Sequence, residues 1–252
     1  MQVAVVGGTG TLGAPLVTEL IARGEEVRVL SRGTSAAPPA GATHRRVDLV
    51  SGEGLTEALK GADVVVDAAN AQKQPGKVLV EGTKRLLEAG SEAGVRHHVA
   101  ISIVGCDKVP LSYYKLKTEQ EEIVASAPVP SSLLRATQFH PFLAGLFAAA
   151  AKTRLRITGA AQLQPIDVGV VARRLADAVQ ADPGGRLPDL AGPEVRELGE
   201  LSHAWQCIDG RRLIPMRIPS FGKLGSALSG GALCNRGATT PGPSFEEWLH
   251  RG

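Results

Sequence analysis

The sequence feature that most constrains the fold of this chain is a glycine-rich turn near its N-terminus. Residues 1–6 form a mostly apolar, β-branched run, and Gly7-Gly8-Thr9-Gly10-Thr11-Leu12-Gly13 follows it at once. Apolar residues then recur at helical spacing up to Ile21, and a second apolar run covers residues 27–30. Strand, glycine turn, helix and strand in this order predict the front half of a parallel βαβ unit.

Each glycine of this turn has a physical role if the turn binds a pyrophosphate. Gly7 allows a sharp bend away from the strand, Gly10 lets the backbone approach the anion, and Gly13 lets the helix lie close to the sheet. The free N–H groups and the positive dipole end of the helix then face the anion. An ordinary βα turn is the alternative, but so many glycines are a heavy entropic cost for a turn alone. The turn therefore predicts a dinucleotide site.

The end of the second strand indicates which dinucleotide is bound. Proteins that prefer NAD usually place Asp or Glu there, to accept hydrogen bonds from the ribose 2′-hydroxyl. This chain has Ser31 and Arg32 instead, and a guanidinium suits a 2′-phosphate in both charge and geometry. A solvated surface arginine is the alternative. The pair predicts NADP(H) as the cofactor.

The remaining chain continues the alternation of strand and helix patterns up to residue 136, which predicts an α/β fold with a doubly wound parallel sheet. We assign residues 1–136 to a Rossmann core and residues 137–252 to a smaller C-terminal substrate lobe that completes the same domain. Within this lobe, Asp167 is placed to cap a helix over residues 170–180. The glycine-rich segment 222–242 is expected to be partly mobile.

Composition excludes several classes of protein. The chain has 252 residues, of which 43% are hydrophobic and 21% charged, as expected for one α/β domain with a full core. A net charge of only +3 and 4% aromatic residues argue against a nucleic-acid partner. No apolar run reaches the length of a membrane span, so we expect no membrane partner and a cytoplasmic location. The cysteines Cys106, Cys207 and Cys234 lack a metal-binding spacing, and no metal site is predicted.

A second group of residues has the chemistry of a proton donor. Tyr113 and Lys117 are four residues apart, so on a helix they stand on the same face. A phenol has an ordinary pKa near 10, and a neighbouring ammonium stabilises the phenolate. Ser102, at the end of the preceding strand, could hold a substrate carbonyl against the phenol. Amphipathic packing of the tyrosines beside solvated lysines is the alternative.

These motifs resemble the atypical short-chain dehydrogenase/reductases, in particular the NmrA-like, isoflavone-reductase-like group. The resemblance rests on residues 3–13, on Ser31-Arg32, on residues 113–117, and further along on residues 134–139 and 164–168. It implies that Lys117 contacts the nicotinamide ribose and that Ser102 and Tyr113 are the acid–base pair. Isoflavone-reductase-like members often lack the tyrosine and rely on lysine, whereas NmrA-type regulators bind the dinucleotide without turning it over.

The predicted site residues fall into three groups. The predicted catalytic residues are Ser102, Tyr113 and Lys117. Phe139 and His140 are predicted to contact substrate, although packing or capping is an equal alternative for His140. The predicted cofactor-binding residues cluster at the expected strand ends: Gly7, Thr9, Gly10, Thr11, Leu12, Ser31, Arg32, Asp48, Leu49, Ala68, Ala69, Asn70, Lys117 and Thr137.

The function that these predictions favour is an enzyme, an NADPH-dependent oxidoreductase that reduces a small carbonyl, enone or quinone-like molecule. The expected partners are a small-molecule substrate and, at most, a second copy of the chain, in a monomer or homodimer. Two alternatives stay open. One is a non-catalytic NADP-binding sensor or regulator, and the other is an isomerase, epimerase or dehydratase on the same fold.

Overall fold

The structure, a computed structural model, describes residues 1–33, 38–71 and 73–251. The chain divides into two compact units, and each unit is assembled from separate stretches of sequence. The first unit comprises Met1–Ser102, Lys115–Leu134 and Val171–Leu187. The second unit comprises Ile103–Tyr114, Arg135–Val170 and Pro188–Gly252.

The described residues form strands and helices in regular alternation through the first half of the chain. The strands are β1 (Gln2–Val6), β2 (Glu26–Ser31), β3 (Thr43–Arg46), β4 (Val64–Asp67), β5 (His97–Ile103), β6 (Ser131–Ala136), β7 (Leu155–Thr158), β8 (Gln162–Leu163), β9 (Gly185–Arg186), β10 (Arg196–Glu197) and β11 (Ile214–Arg217). The helices are α1 (Gly13–Ala22), α2 (Leu55–Leu59), α3 (Thr83–Glu92), α4 (Ser112–Ser126), α5 (His140–Ala151), α6 (Val168–Gln180), α7 (Leu198–Asp209), α8 (Gly222–Ser229) and α9 (Phe245–Leu249).

The first unit is organised around a seven-stranded sheet with the strand order β3-β2-β1-β4-β5-β6-β9. The pairs β1–β2, β1–β4, β2–β3, β4–β5 and β6–β9 are all parallel. The order of successive strands reverses at β1, which confirms the predicted doubly wound Rossmann topology. Ligands of such sheets bind at this reversal, where the carboxyl ends of β1 and β4 lie side by side.

The central strands are almost fully apolar because both of their faces are covered. Residues 3–6 and 64–67 are buried along their whole length, as expected for parallel strands inside an α/β protein. Helix α1 packs Leu16, Val17 and Leu20 inward. One continuous core cluster in this unit joins side chains of the strands to those of α2 and α3, among them Leu30, Leu55, Leu59, Val65 and Leu86.

The second unit contains two small sheets, in which β10 pairs with β8 and β11 pairs with β7. Its core is built from aromatic and aliphatic side chains, with Phe147, Trp205 and Phe245 packed among Leu143, Leu163 and Leu201. The rings of Phe245 and Trp248 are stacked with centroids 6.0 Å apart. No helix in the described part of the chain is both long and apolar enough to cross a bilayer.

The differences from the predicted elements are local. Asp167 caps α6 as predicted, since its Oδ1 accepts a hydrogen bond from the Val170 N–H at 3.2 Å. A π-helical stretch, Lys77–Gly82, directly precedes α3. Strands β8, β9 and β10 are each only two residues long. Strands of this length carry no periodic pattern.

The glycine-rich segment 222–242 contains two ordered elements that the sequence does not predict. Gly222–Ser229 form helix α8, and Arg236–Ala238 form a short 3₁₀ turn. A Cβ at Gly225 would overlap the backbone of Ser220. Glycine in this segment therefore permits close packing, whereas composition alone was taken to indicate looseness.

The aromatic core of the second unit generates a stability prediction. Phe245 is almost completely buried, so Phe245→Ala should lower the free energy of unfolding by about 3–5 kcal/mol. The matched control is Phe221→Ala, because Phe221 is 80% exposed, and it should change that free energy by less than about 0.5 kcal/mol. Urea denaturation followed by tryptophan fluorescence measures both values, and equal losses would contradict the assigned core.

Candidate functional site: a dinucleotide-binding turn and a buried lysine

The glycine turn packs directly against the end of β4. Gly7 has a φ of +74°, and its carbonyl oxygen accepts a hydrogen bond from the Gly10 N–H at 2.9 Å. A Cβ at Gly13 would overlap that same oxygen, and a Cβ at Gly7 would lie 2.8 Å from the carbonyl oxygen of Ala68. Side chains are therefore excluded at Gly7 and Gly13 by neighbouring backbone. The roles predicted for these two glycines agree with this geometry.

The N-terminus of α1 lacks the groups with which proteins usually satisfy a helix start. Leu12 occupies the N-cap position without a side-chain hydrogen bond, and the first turn contains no acidic residue. Gly10 and Thr11 are exposed, whereas Leu12 is buried. The Ala14 and Leu16 N–H groups donate to the Gly10 and Leu12 carbonyls at 3.0 and 3.1 Å, so the feature that suits a pyrophosphate is the positive dipole end of the helix beside the exposed turn. The residues present thus fit the dinucleotide that the sequence predicts.

The end of β2 lies beside a strand rich in basic residues. Arg32 is exposed, and the Ser31 hydroxyl lies 2.8 Å from the His44 Nε2 atom. In the register of β2 with β3, Leu30 is opposite Arg45 and Ser31 is opposite Arg46. The sequence predicts Arg32 as a partner of a 2′-phosphate but does not single out the basic residues of β3. Their signal is the run His44-Arg45-Arg46 in a strand that follows the predicted ribose-binding position. The contact of any of these side chains with a 2′-phosphate stays a prediction.

The other predicted cofactor-binding residues of the first unit lie after β3 and β4. The Asp48 Oδ1 atom accepts a hydrogen bond from the Val50 N–H at 2.8 Å, and Leu49 is buried. After β4, the Ala68 N–H donates to the Val6 carbonyl at 3.1 Å. Ala68 and Ala69 are half-buried and Asn70 is exposed. Small side chains at the end of β4 leave room for a flat ligand.

Lys117 is a buried cation with specific partners. Its side chain is on α4 and the residue is 4% exposed. The Nζ atom donates to the Ile101 carbonyl oxygen on β5 at 2.9 Å and to the Gln120 Oε1 atom at 2.6 Å. Ser102, the neighbour of Ile101 in β5, is also buried. A buried ammonium is costly unless it is hydrogen-bonded, so these acceptors fix its position.

Gln120 connects Lys117 to a buried carboxylate. While its Oε1 atom accepts from Lys117, its Nε2 atom donates to the Asp67 Oδ2 atom at 3.2 Å and to the Thr83 Oγ1 atom at 2.9 Å. Asp67 ends β4, is 2% exposed, and also accepts from the Ala69 N–H at 3.0 Å. One amide thus joins a buried cation to a buried anion, and the anion holds the backbone at the end of β4.

Sequence reasoning missed Asp67, Thr83 and Gln120 as members of the site. In the sequence, Asp67 only follows an apolar run, and Gln120 lies within a stretch of mostly charged residues. The one available signal is a polar residue three positions after Lys117, on the same face of the helix. That signal does not identify its partner 53 positions away.

The two tyrosines of α4 differ in their surroundings. Tyr114 packs against the aromatic core of the second unit, and its ring meets that of Tyr113 edge to face with centroids 5.9 Å apart. Burial, followed by the proximity of Tyr113 and Cys106, raises the pKa of the Tyr114 phenol to about 12. A phenol with a raised pKa is a poor proton donor near neutral pH, so Tyr114 does not replace Tyr113 as the predicted donor.

Thr137, Phe139 and His140 lie in the second unit. The Thr137 hydroxyl is buried and accepts a hydrogen bond from the Gly192 N–H at 3.1 Å. His140 is completely buried, and its ring packs against Phe245 and Trp248 with centroids 5.7 and 5.6 Å away. Burial also lowers the pKa of His140. These contacts favour the packing alternative for His140. The predicted ligand contacts of all three residues stay predictions.

Gln138 and Gln164, which belong to the motifs that resemble the NmrA-like group, stabilise loops of the second unit through hydrogen bonds. The buried Gln138 side chain donates to the Leu233 carbonyl at 3.0 Å and accepts from the Gln164 N–H at 3.0 Å. Gln164, also buried, donates to the Gly192 carbonyl at 2.9 Å. Across residues 1–33, 38–71 and 73–251, no group of three or more His, Cys, Asp or Glu is arranged to hold a metal ion.

The reversal of strand order at β1, the uncapped helix and the glycine turn define a dinucleotide-binding Rossmann protein. The sequence profile of the family described as NAD(P)H-binding matches residues 7–140. The chain belongs to this NAD(P)H-binding family, and within it to the atypical short-chain dehydrogenase/reductases of NmrA-like type. The predicted cofactor, NADP(H), is confirmed at this level.

Two relatives illustrate how varied the similar proteins are. The chain is 36% identical over 116 residues to a 3-beta-hydroxysteroid dehydrogenase of Mycolicibacterium neoaurum, a match that covers 39% of this chain and 31% of that protein. It is 33% identical over 158 residues to the photosystem II assembly factor Ycf39 of a Synechocystis species, covering 59% of this chain and 48% of the relative. The chain thus spans less than half the length of either relative.

Solved structures agree with the fold over nearly the whole chain. The NADPH-dependent quinone oxidoreductase of Escherichia coli, complexed with NADPH, superposes with a TM-score of 0.79 and covers 99% of both chains at 18% sequence identity. Identity this low establishes a common fold only. The residue-level assignments of the site therefore stay predictions.

The basic end of β2 predicts cofactor preference. NADPH should bind at least about tenfold more tightly than NADH, because Arg32 can pair with the 2′-phosphate. Arg32→Ala should remove most of this preference and leave NADH binding nearly unchanged. Arg173→Ala, which alters an exposed arginine on α6, is the control and should keep the preference. Calorimetric titration measures the affinities, and equal binding of both cofactors by the unmodified protein would refute the assignment.

The buried amide predicts a stability effect that depends on charge. Gln120→Leu should lower the free energy of unfolding by about 2–3 kcal/mol, because it removes an acceptor from Lys117 and a donor from Asp67. Glu119→Leu, at an exposed neighbouring position, should change it by less than about 0.5 kcal/mol. Adding Lys117→Met to Gln120→Leu should restore part of the loss, since the buried charge is then absent. Urea denaturation tests this, and an additive double variant would contradict the linkage.

Proposed function

We propose that this protein is an NADPH-dependent oxidoreductase that reduces a small carbonyl, enone or quinone-like molecule. The observation that carries the proposal is the position of Lys117. Its ammonium is buried and held by Ile101 and Gln120, and it follows Tyr113 by four residues in helix α4. A solvated lysine would need no such acceptors. The buried amide network is therefore better explained by a lysine whose position matters.

The proposed reaction is a two-electron reduction. NADPH, when bound at the glycine turn, would supply the hydride for the substrate carbon. Tyr113 donates the proton from its hydroxyl to the substrate oxygen, so that a carbonyl becomes an alcohol. Lys117 contacts the nicotinamide ribose and stabilises the Tyr113 phenolate that forms. Ser102 donates a hydrogen bond to the same substrate oxygen and orients it. Solvent then returns the proton to Tyr113.

The choice of Tyr113 rests on the contrast with its neighbour. The phenol of Tyr114 has its pKa raised to about 12, chiefly by burial. A general acid works best when its pKa is close to the operating pH, so the Tyr114 phenol is badly matched to the task. Support of a different kind comes from the hydroxysteroid dehydrogenase and the quinone oxidoreductase, which are oxidoreductases by name.

A second candidate function is a non-catalytic one. The Ycf39 relative is described as an assembly factor, and its match covers more of this chain than that of the dehydrogenase. On this proposal the protein binds NADP(H), and a protein partner binds or dissociates according to whether the cofactor is bound. The amide network around Lys117 would then stabilise the cofactor-bound form without any proton transfer.

Turnover separates the two candidates, whereas cofactor binding does not. An enzyme should oxidise NADPH in the presence of at least one member of a panel of quinones, enones and aryl carbonyls. A sensor should leave the whole panel unreacted and should retain a partner only in the presence of one cofactor form. Turnover that survives combined changes at Tyr113, Lys117 and Gly7 would refute the proposed site for either class.

The division of labour between Tyr113 and Lys117 is testable by kinetics. Tyr113→Phe should lower kcat by roughly 100-fold or more, with cofactor affinity intact, because only the proton donor is lost. Lys117→Ala should weaken both turnover and cofactor binding. Tyr114→Phe is the matched control and should keep near-normal kcat. If Tyr113→Phe leaves kcat unchanged while Lys117→Ala lowers it strongly, the lysine or a bound water donates the proton and Tyr113 only lines the substrate site.

A further inference from the structure

The stretch from residue 211 to residue 223 in the second unit, here called the β11 segment, exposes apolar side chains that the proposed reaction does not use. Of the large hydrophobic side chains that are exposed in the described residues, four belong to it: Ile214, Met216, Ile218 and Phe221. Phe221 is 80% exposed and Ile214 is 65% exposed. All residues from 214 to 223 are exposed. Apolar exposure of this density usually marks an interaction surface.

All charged side chains of the β11 segment are positive. It contains Arg211, Arg212, Arg217 and Lys223, and no Asp or Glu occurs between Asp209 and Glu246. Arg211 pairs with Asp209 at 2.6 Å, so this one charge is compensated. In the sequence, Arg212 and Lys223 flank the exposed apolar residues, and Arg217 lies between Met216 and Ile218. The partner of this surface must therefore offer both an apolar interior and negative charge.

The backbone of the β11 segment arranges the apolar side chains on one face. Side chains alternate along a strand, so Ile214 and Met216 point to the same side of β11. Ile218 continues this series, because its N–H still donates to the Thr158 carbonyl of β7 at 2.8 Å. Phe221 follows immediately before α8. Ile214, Met216 and Ile218 therefore form an apolar strip along one face of a two-stranded ribbon, and the exposed Phe221 lies beyond its end.

The free edge of β11 is poorly suited to pairing with another strand. The N–H groups of Ile214 and Ile218 point towards β7, where they donate to the Arg154 and Thr158 carbonyls at 2.8 Å. The backbone groups of the intervening residues face the free edge of β11, and Pro215 has no N–H to donate at that edge. Prolines on edge strands protect against strand addition. The excess of positive charge also disfavours a second copy of the same segment.

We propose that the β11 segment docks this protein on the surface of an anionic lipid bilayer. The side chains of Ile214, Met216, Ile218 and Phe221 enter the interface, and Arg212 and Lys223, on either side of them in the sequence, contact headgroup phosphates. The expected absence of a membrane partner rested on the lack of a spanning run, and docking at an interface requires none. This surface would bring the enzyme to apolar substrates dissolved in the membrane, without being part of its reaction.

Vesicle cosedimentation tests the proposal on the full chain with NADPH present. The probes are vesicles of phosphatidylcholine alone and of phosphatidylcholine mixed with phosphatidylglycerol. The protein should bind the anionic vesicles at least about fivefold more than the neutral ones, and added salt should reduce this binding. Phe221→Ser and Ile214→Ser should each lower the bound fraction. A double change of Arg212 and Lys223 to Gln should abolish the preference for anionic vesicles.

The control is Phe142→Ser, because Phe142 is 58% exposed but lies on α5, outside the β11 segment. This variant should bind vesicles as the unmodified protein does. The thermal shift caused by NADPH, measured for every variant, reports that the fold is intact. Equal binding to both kinds of vesicle, or unchanged binding of Phe221→Ser, would overturn the proposal. A concentration-dependent dimer that Phe221→Ser dissociates, without vesicle binding, would also overturn it and assign the strip to a second copy.

Discussion

The packing of the glycine turn against the end of β4 is the constraint on which the cofactor site depends. The Gly7 carbonyl oxygen occupies the space that a side chain at Gly13 would need, and Ala68 fills the space beside Gly7 itself. The start of α1 is thereby held against two strand ends, with its N–H groups unused by side chains. A ligand with negative charge supplies what the helix lacks. Any side chain at these glycines would separate the helix from the sheet.

The position of the buried lysine depends on a side chain that can accept one hydrogen bond and donate another. Lys117 needs an acceptor and Asp67 needs donors, and both are removed from water. An amide is the neutral side chain that offers an acceptor on one atom and donors on another. Gln120 uses both, and Thr83 adds a hydroxyl to the same cluster. The end of β4 and the position of the ammonium are therefore linked through one side chain.

Much of the first unit could be predicted because its signals are local. Buried parallel strands appear as apolar runs, and the turn that binds the dinucleotide is contiguous in sequence. Arg32 and Lys117 are predicted as site residues for the same reason. The cluster around Lys117 could not be predicted in this way, because its members are 16, 37 and 53 positions apart. Helix α8 is not predicted because glycine disfavours helices, although at Gly225 the lack of a side chain allows close packing.

The way in which the chain divides into two units has a consequence for its synthesis. The first unit is complete only when Val171–Leu187 has been made, and the second only when the end of the chain has been made. No single cut therefore yields either unit as a continuous polypeptide. During translation the growing chain must hold an unfinished sheet through most of its length, with apolar strand edges exposed, since domains generally fold as whole units. Shuffling of one unit between relatives would need several simultaneous crossovers, which ties the evolution of the cofactor site to that of the rest of the chain.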